Sequence, residues 1–157
     1  MSLGSSGRTS DLMARILALD VGSKRVGVAC SDELAIIAIP LGTLRRASYN
    51  RDAALIAALV AEKAAECVVV GLPTSLSGQA SAQTRRIEQF AEMLATRISV
   101  PVVLWDERLT TVMAKAINAS DLDAVAAAFI LQNYLDARAR MERDPAEPPA
   151  SDFGLGR

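Results

Sequence analysis

The sequence predicts an α/β fold, a mixed five-stranded sheet with helices on both faces. Three observations carry that prediction. Short runs rich in Val, Ile and Leu alternate with longer stretches of helical periodicity. The first three apolar runs are joined by turn residues, whereas the later ones are separated by helices. Hydrophobic residues make up 51% of the 157 positions, which suits one core of ordinary domain size.

The elements follow in order. Ala14 to Asp20 (ARILALD) is an apolar run that ends in a carboxylate. Val21-Gly22-Ser23-Lys24-Arg25 reads as a turn, and Val26 to Cys30 (VGVAC) as the return strand of a hairpin. Ile36 to Leu44 (IIAIPLGTL) reads as a third strand, which Pro40 confines to an edge or a bulge. Asn50 to Ala65 has helical spacing with Asp52 in its first turn, and Cys67 to Gly71 (CVVVG) suits a strand buried on both faces. Ser81 to Arg97 is helical, with Ile87, Phe90, Ala91 and Leu94 on one face. Val100 to Trp105 is the fifth strand; Thr110 to Ile117 and Asp121 to Arg140 read as helices. A three-strand meander followed by βαβ units is the layout of a ribonuclease-H-like domain.

The two ends differ from the body. Residues 1–12 are small and polar and read as a leader or tag remnant. Residues 141–157, with Pro145, Pro148 and Pro149, read as a disordered tail. The domain proper is residues 13–140. The tail has a net charge of −2 and the leader zero, so the body stands at +1 within a chain of −1.

Composition removes several classes of chemistry. The chain has no histidine, so it cannot assemble a Ser-His-Asp or Cys-His catalytic group from its own residues. Two cysteines cannot by themselves complete a four-ligand zinc site. Cys30 and Cys67 lie in strand-like runs and read as small buried residues. No apolar run approaches the ~20 residues of a membrane helix. No signal peptide is evident, so a cytoplasmic protein away from the membrane is expected. Carboxylates with a hard cation remain open.

Three acids stand beside strongly apolar runs. Asp20 ends the first strand, Glu107 lies two residues beyond Trp105, and Asp123 lies in the first turn of the last helix. Each has an ordinary explanation when taken alone: a turn residue, a solvated or Arg108-paired acid, and a helix-start charge. Together they could converge, and converging carboxylates repel unless a cation sits between them. Mg²⁺ takes oxygen ligands and suits such a site. Asp32 falls at the opposite end of the sheet and reads as a turn residue. Basic residues gather in loops and at helix starts: Lys24 and Arg25, then Arg45, Arg46 and Arg51, then Arg85 and Arg86, then Arg108. Such positions bind phosphates or form an ordinary solvated surface.

Four blocks go further. LALDVGSKRVGVACSD (Leu17–Asp32), VVVGLPTSLSGQASAQTRRIEQFAEML (Val68–Leu94), VVLWDERLTT (Val102–Thr111) and DAVAAAFILQNYLD (Asp123–Asp136) resemble those of the YqgF family. The family is also called RuvX, or Holliday-junction-resolvase-like. The resemblance implies a ribonuclease-H-like, metal-dependent nuclease. It implies Asp20, Glu107 and Asp123 as catalytic residues and ligands of Mg²⁺ or Mn²⁺. It implies Lys24, Arg25, Gln83, Thr84, Arg86 and Arg108 as substrate contacts. The implied activity is processing of the 5′ end of pre-16S rRNA in ribosome biogenesis, by a monomer or homodimer in the cytoplasm. The alternative is cleavage of four-way DNA junctions. An actin-like ATPase or sugar kinase would share DVGSKR, but it needs a second domain that this length does not hold. Two departures stand out: Thr74 to Gly78 in place of LNMDG, and only Val112 to Leu122 where relatives carry a longer Lys/Arg-rich segment.

Overall fold

The computed structural model describes residues 14–73, 82–107, 122–143 and 152–154. Its elements are β1 (Arg15–Val21), β2 (Arg25–Ser31), β3 (Ala38–Arg45), α1 (Tyr49–Lys63), β4 (Ala65–Pro73), α2 (Ala82–Arg97), β5 (Val102–Glu107), α3 (Leu122–Arg143) and β6 (Asp152–Gly154). The strand order is β3-β2-β1-β4-β5-β6. The first three strands are antiparallel neighbours, β1, β4 and β5 run parallel, and β6 returns antiparallel to β5.

The five expected strands form, and two differences have physical causes. The third begins at Ala38 rather than Ile36. The N–H groups of Ile36 and Ile37 instead donate to Asp32 Oδ1, at 2.7 and 2.9 Å, and close a turn. Those two donors also hold the Asp32 carboxyl below its ordinary pKa. Residues 152–154, expected within a disordered tail, add a sixth strand along the outer edge of β5. The edge of β5 offers unpaired backbone groups that a three-residue strand can satisfy. The expected helix over 110–117 lies outside the described residues. Pro40 does sit on the edge strand, and the register jumps there from Val28↔Gly42 to Ala29↔Pro40.

Strand alternation divides the core in two. Leu17, Leu19 and Val21 face one way and pack with Ile56 of α1 and Ile87, Phe90 and Leu94 of α2. Ile16, Ala18, Val69 and Trp105 face the other way, under Ala127, Ile130 and Leu131 of α3. Alternate residues of β1 thus serve opposite layers, which explains why the run ILAL is apolar throughout. Cys30 is buried and Cys67 partly buried, and the two form no disulfide with each other. Burial pushes the Cys30 thiol above its usual value.

Two contacts fix α3 on its face. Gln132 accepts from the Ala38 N–H and donates to the Ile36 carbonyl, each at 2.9 Å. Tyr134 meets Trp105 edge to face at 5.2 Å. No helix among the described residues is long and apolar enough to cross a membrane.

Candidate active site

Asp20 is the sixth residue of β1 and lies opposite Gly27 of β2. It shares the parity of Ile16 and Ala18, so it belongs to the α3 face of the sheet. The head of α3 lands on that spot. A Cβ built on Gly27 would lie 1.8 Å from the Asp123 carbonyl oxygen and 2.2 Å from its carbon. Only a residue without a side chain lets helix and strand approach this closely. Gly27 therefore brings Asp123, in the first turn of α3, beside Asp20 at the end of β1.

Electrostatics register that approach. Asp20 is pushed up from 3.8 to about 6, first by burial and second by the Asp123 charge. Asp123 is held by Arg25, whose Nε lies 2.9 Å from Oδ2. Two carboxylates in a partly buried site, one with its proton retained to about pH 6, favour an added cation. All donors here are oxygens, with no imidazole or thiolate among them. That set fits a hard divalent ion rather than a softer metal.

The remaining expected residues fall as follows. Glu107 is the last residue of β5, opposite Pro73 and two positions beyond Trp105, at the same end of the sheet as Asp20. Its side chain lies outside the described residues, as does Arg108. Among the described residues no three Asp, Glu, Cys or His side chains form a metal-sized group. Lys24 is exposed in the β1–β2 turn. Gln83 and Arg86 are exposed in the first turns of α2, whereas Thr84 is buried. Asp32 is at the far end of the sheet, as expected of a turn residue.

Sequence reading missed one pairing. Arg46 Nε lies 3.4 Å from Asp52 Oδ2, and Asp52 Oδ1 accepts from the Ala47 N–H at 3.0 Å. Arg46 Nη1 also donates to the Gly22 carbonyl at 2.9 Å, and its backbone N–H donates to the Lys24 carbonyl at 2.9 Å. Arg46 thereby ties down the turn that follows Asp20. Its guanidinium also lies over the Phe90 ring at 5.1 Å. The available signal was an arginine at a strand end followed by a helix whose first turn carries an acid.

A mixed sheet in this order, with one carboxylate near the end of its first strand and another in the first turn of its last long helix, is a ribonuclease-H-like arrangement. The chain belongs to the RuvX family, described as Holliday junction resolvase, whose pattern matches residues 14–137. It is 43% identical over 148 residues to a protein of Chloroflexus aurantiacus named "Putative pre-16S rRNA nuclease", covering 87% of this chain and 97% of that one. A protein of the same name from Chloroflexus aggregans is 44% identical over 133 residues, covering 78% and 94%. Among solved structures, Thermus thermophilus RuvC in complex with a Holliday junction substrate superposes with a TM-score of 0.56 at 14% identity, covering 90% of this chain and 99% of that one. That identity speaks for a shared fold.

Proposed function

We propose that this chain is a metal-dependent nuclease that hydrolyses phosphodiester bonds and processes the 5′ end of pre-16S rRNA. The observation that carries the reading is the meeting of Asp20 and Asp123 across Gly27, with Asp20 held protonated to about pH 6 until a cation joins it. Asp20, Glu107 and Asp123 are the catalytic residues and would hold the ion, Mg²⁺ or Mn²⁺. A bound divalent ion supplies charge that activates water and steadies the phosphorane-like transition state.

The protein's own groups do the rest. Asp20 must be ionised to take part, and a neighbouring cation lowers its pKa into that range. Arg25 orients the Asp123 carboxylate through its Nε. Lys24, Arg25, Gln83, Arg86 and Arg108 are the substrate contacts, with Lys24 in the β1–β2 turn and Arg25 opening β2, whereas Thr84 is buried and supports the start of α2 from within. With no histidine in the chain, no imidazole can serve as general base. A carboxylate would accept the proton, from a water that a bound ion would acidify. Residues 13–140 form the catalytic domain in this reading, and the protein acts in the cytoplasm.

Cleavage of four-way DNA is the second reading, favoured by the fold shared with RuvC. The relatives at 43–44% identity weigh toward RNA, because identity near 14% carries the fold alone. Side-by-side digestion of a 5′-extended rRNA precursor and a four-way DNA junction, with Mg²⁺ or Mn²⁺, separates the two. Trimming of the precursor with an intact junction supports the proposal, and the reverse pattern refutes it.

A further inference from the structure

Asp20 and Asp123 meet on the α3 face of the sheet. On the other face, the turn after β1 and the first turns of α2 enclose a cavity of about 210 Å³. Gly22, Ser23, Arg46, Gln83 and Arg86 supply its polar wall, and Ile87 part of its apolar floor. Val21, also on the floor, and Ile87 belong to the core layer under α1 and α2, whereas Asp20 belongs to the layer under α3. The cavity and the acid pair are therefore back to back across the same turn. That space holds several waters and has room for a phosphate group with part of its hydration.

Its charge is one-sided. Two guanidinium groups line it and no carboxylate does, among the described residues. The larger cavity at the far end of the sheet contrasts with it, since Asp32, Glu33 and Glu62 line that one beside Arg15 and Lys63. Arg46 is the built part of the site. Its side chain is 20% exposed and is fixed by Asp52, the Gly22 carbonyl and the Phe90 ring. A guanidinium carries five N–H donors, and these contacts engage two. The side chain borders the cavity. A mostly buried guanidinium held in place in this way is suited to a planar, bidentate hold on a phosphate.

We propose that this cavity is a second phosphate subsite, which binds a backbone phosphate of the substrate strand away from the scissile bond. Arg46 is its fixed base and Arg86 its exposed arm, with Gln83 and Ser23 as neutral donors. The strand would cross the tip of the Gly22–Lys24 turn, so that one phosphate lies at the acids while another lies behind the turn. Because Arg46 also anchors the Gly22 carbonyl, occupation of the subsite would brace the turn that follows Asp20. This inference rests on the nuclease reading.

The test measures binding of a single-stranded RNA oligonucleotide across a salt series, with Asp20→Asn as the parent so that the strand is not cut. Arg86→Ala and Arg46→Lys each remove donors from the cavity. Gln83→Glu places a carboxylate at its wall without endangering the fold, since an acid in a first helical turn is favourable. Arg86→Ala and Gln83→Glu are expected to weaken binding about tenfold. Arg86→Ala should also reduce the slope of log Kd against log salt by about 0.7. Wild-type affinity and slope in both would overturn the subsite while leaving the nuclease reading intact. A parent that binds no nucleic acid at all would instead overturn that reading, and the subsite with it. An NMR titration with inorganic phosphate distinguishes the ligand's source. Amide shifts at Gly22, Ser23 and Ile87 together with the loss of RNA affinity support the proposal. Shifts there with unchanged RNA affinity in both variants would mean a site for free anions and overturn it.

Discussion

Gly27 and Asp123 touch through backbone alone: a Cβ on Gly27 would stand 1.8 Å from the Asp123 carbonyl oxygen. The sheet offers this landing place directly opposite Asp20, so one missing side chain sets the distance between two carboxylates. Gly27→Ala must push the head of α3 away, because the obstructing atoms are backbone and cannot rotate aside. We expect a loss of about 1–3 kcal/mol in urea unfolding. Nuclease activity should fall by more than the unfolded fraction explains. A variant with full activity would show that α3 can shift without consequence.

Asp20 gives a pH signature in metal-free protein. Its folded-state pKa is raised from 3.8 to about 6. The protonated form therefore favours folding, fully at pH values below the unfolded value, and that contribution is lost as pH rises through about 6. Asp20→Asn removes the ionisation, so it should exceed wild type in stability by about 1–3 kcal/mol near pH 8, with the gap closing toward pH 4. Chemical unfolding at a series of pH values reads this directly. Mn²⁺ should raise the melting temperature of wild type and leave the variant unmoved.

The Arg46–Asp52 pair should matter for stability far more than Arg15–Glu33. Asp52 is 5% exposed and caps the Ala47 N–H as well, whereas Glu33 is 52% exposed. Asp52→Ala leaves a mostly buried guanidinium without its counter-charge and should cost about 3 kcal/mol. Glu33→Ala should cost under about 1 kcal/mol. Equal effects in urea unfolding would contradict this ranking.

Arg25 is 64% exposed although it reaches Asp123 at 2.9 Å. Its removal should therefore change stability by under about 1 kcal/mol. Its proposed role is contact with the substrate. Arg25→Ala should weaken RNA binding and lower the salt slope by about 0.7, the share of one phosphate contact on a single strand. An unchanged slope would restrict Arg25 to holding Asp123.

The layered plan was legible because β1 and β4 must be apolar on both faces, and ILAL and CVVVG say so in their residues. Asp20 and Asp123 were legible for a related reason, since each is an acid abutting a run that is otherwise buried. Ile36 and Ile37 misled because β-branched residues suit a strand, yet Asp32 captures their N–H groups first. The strand at 152–154 was hidden by a Pro-rich approach, and it pairs along the open edge of β5. The hold of Arg46 on Gly22 could not be read from local pattern, because it joins residues 24 apart through a fold that must already exist. The placement of Glu107 at the same sheet end followed from strand order, while its side chain lies outside the described residues.

Asp20 and Asp123 are proposed to act together on a phosphodiester. Digestion of a 5′-extended rRNA precursor with Mn²⁺ tests this most directly, comparing wild type with Asp20→Asn and Asp123→Asn at matched folded concentration. Wild type should trim the precursor, and both variants should fail to. Equal trimming by all three proteins would contradict that joint role.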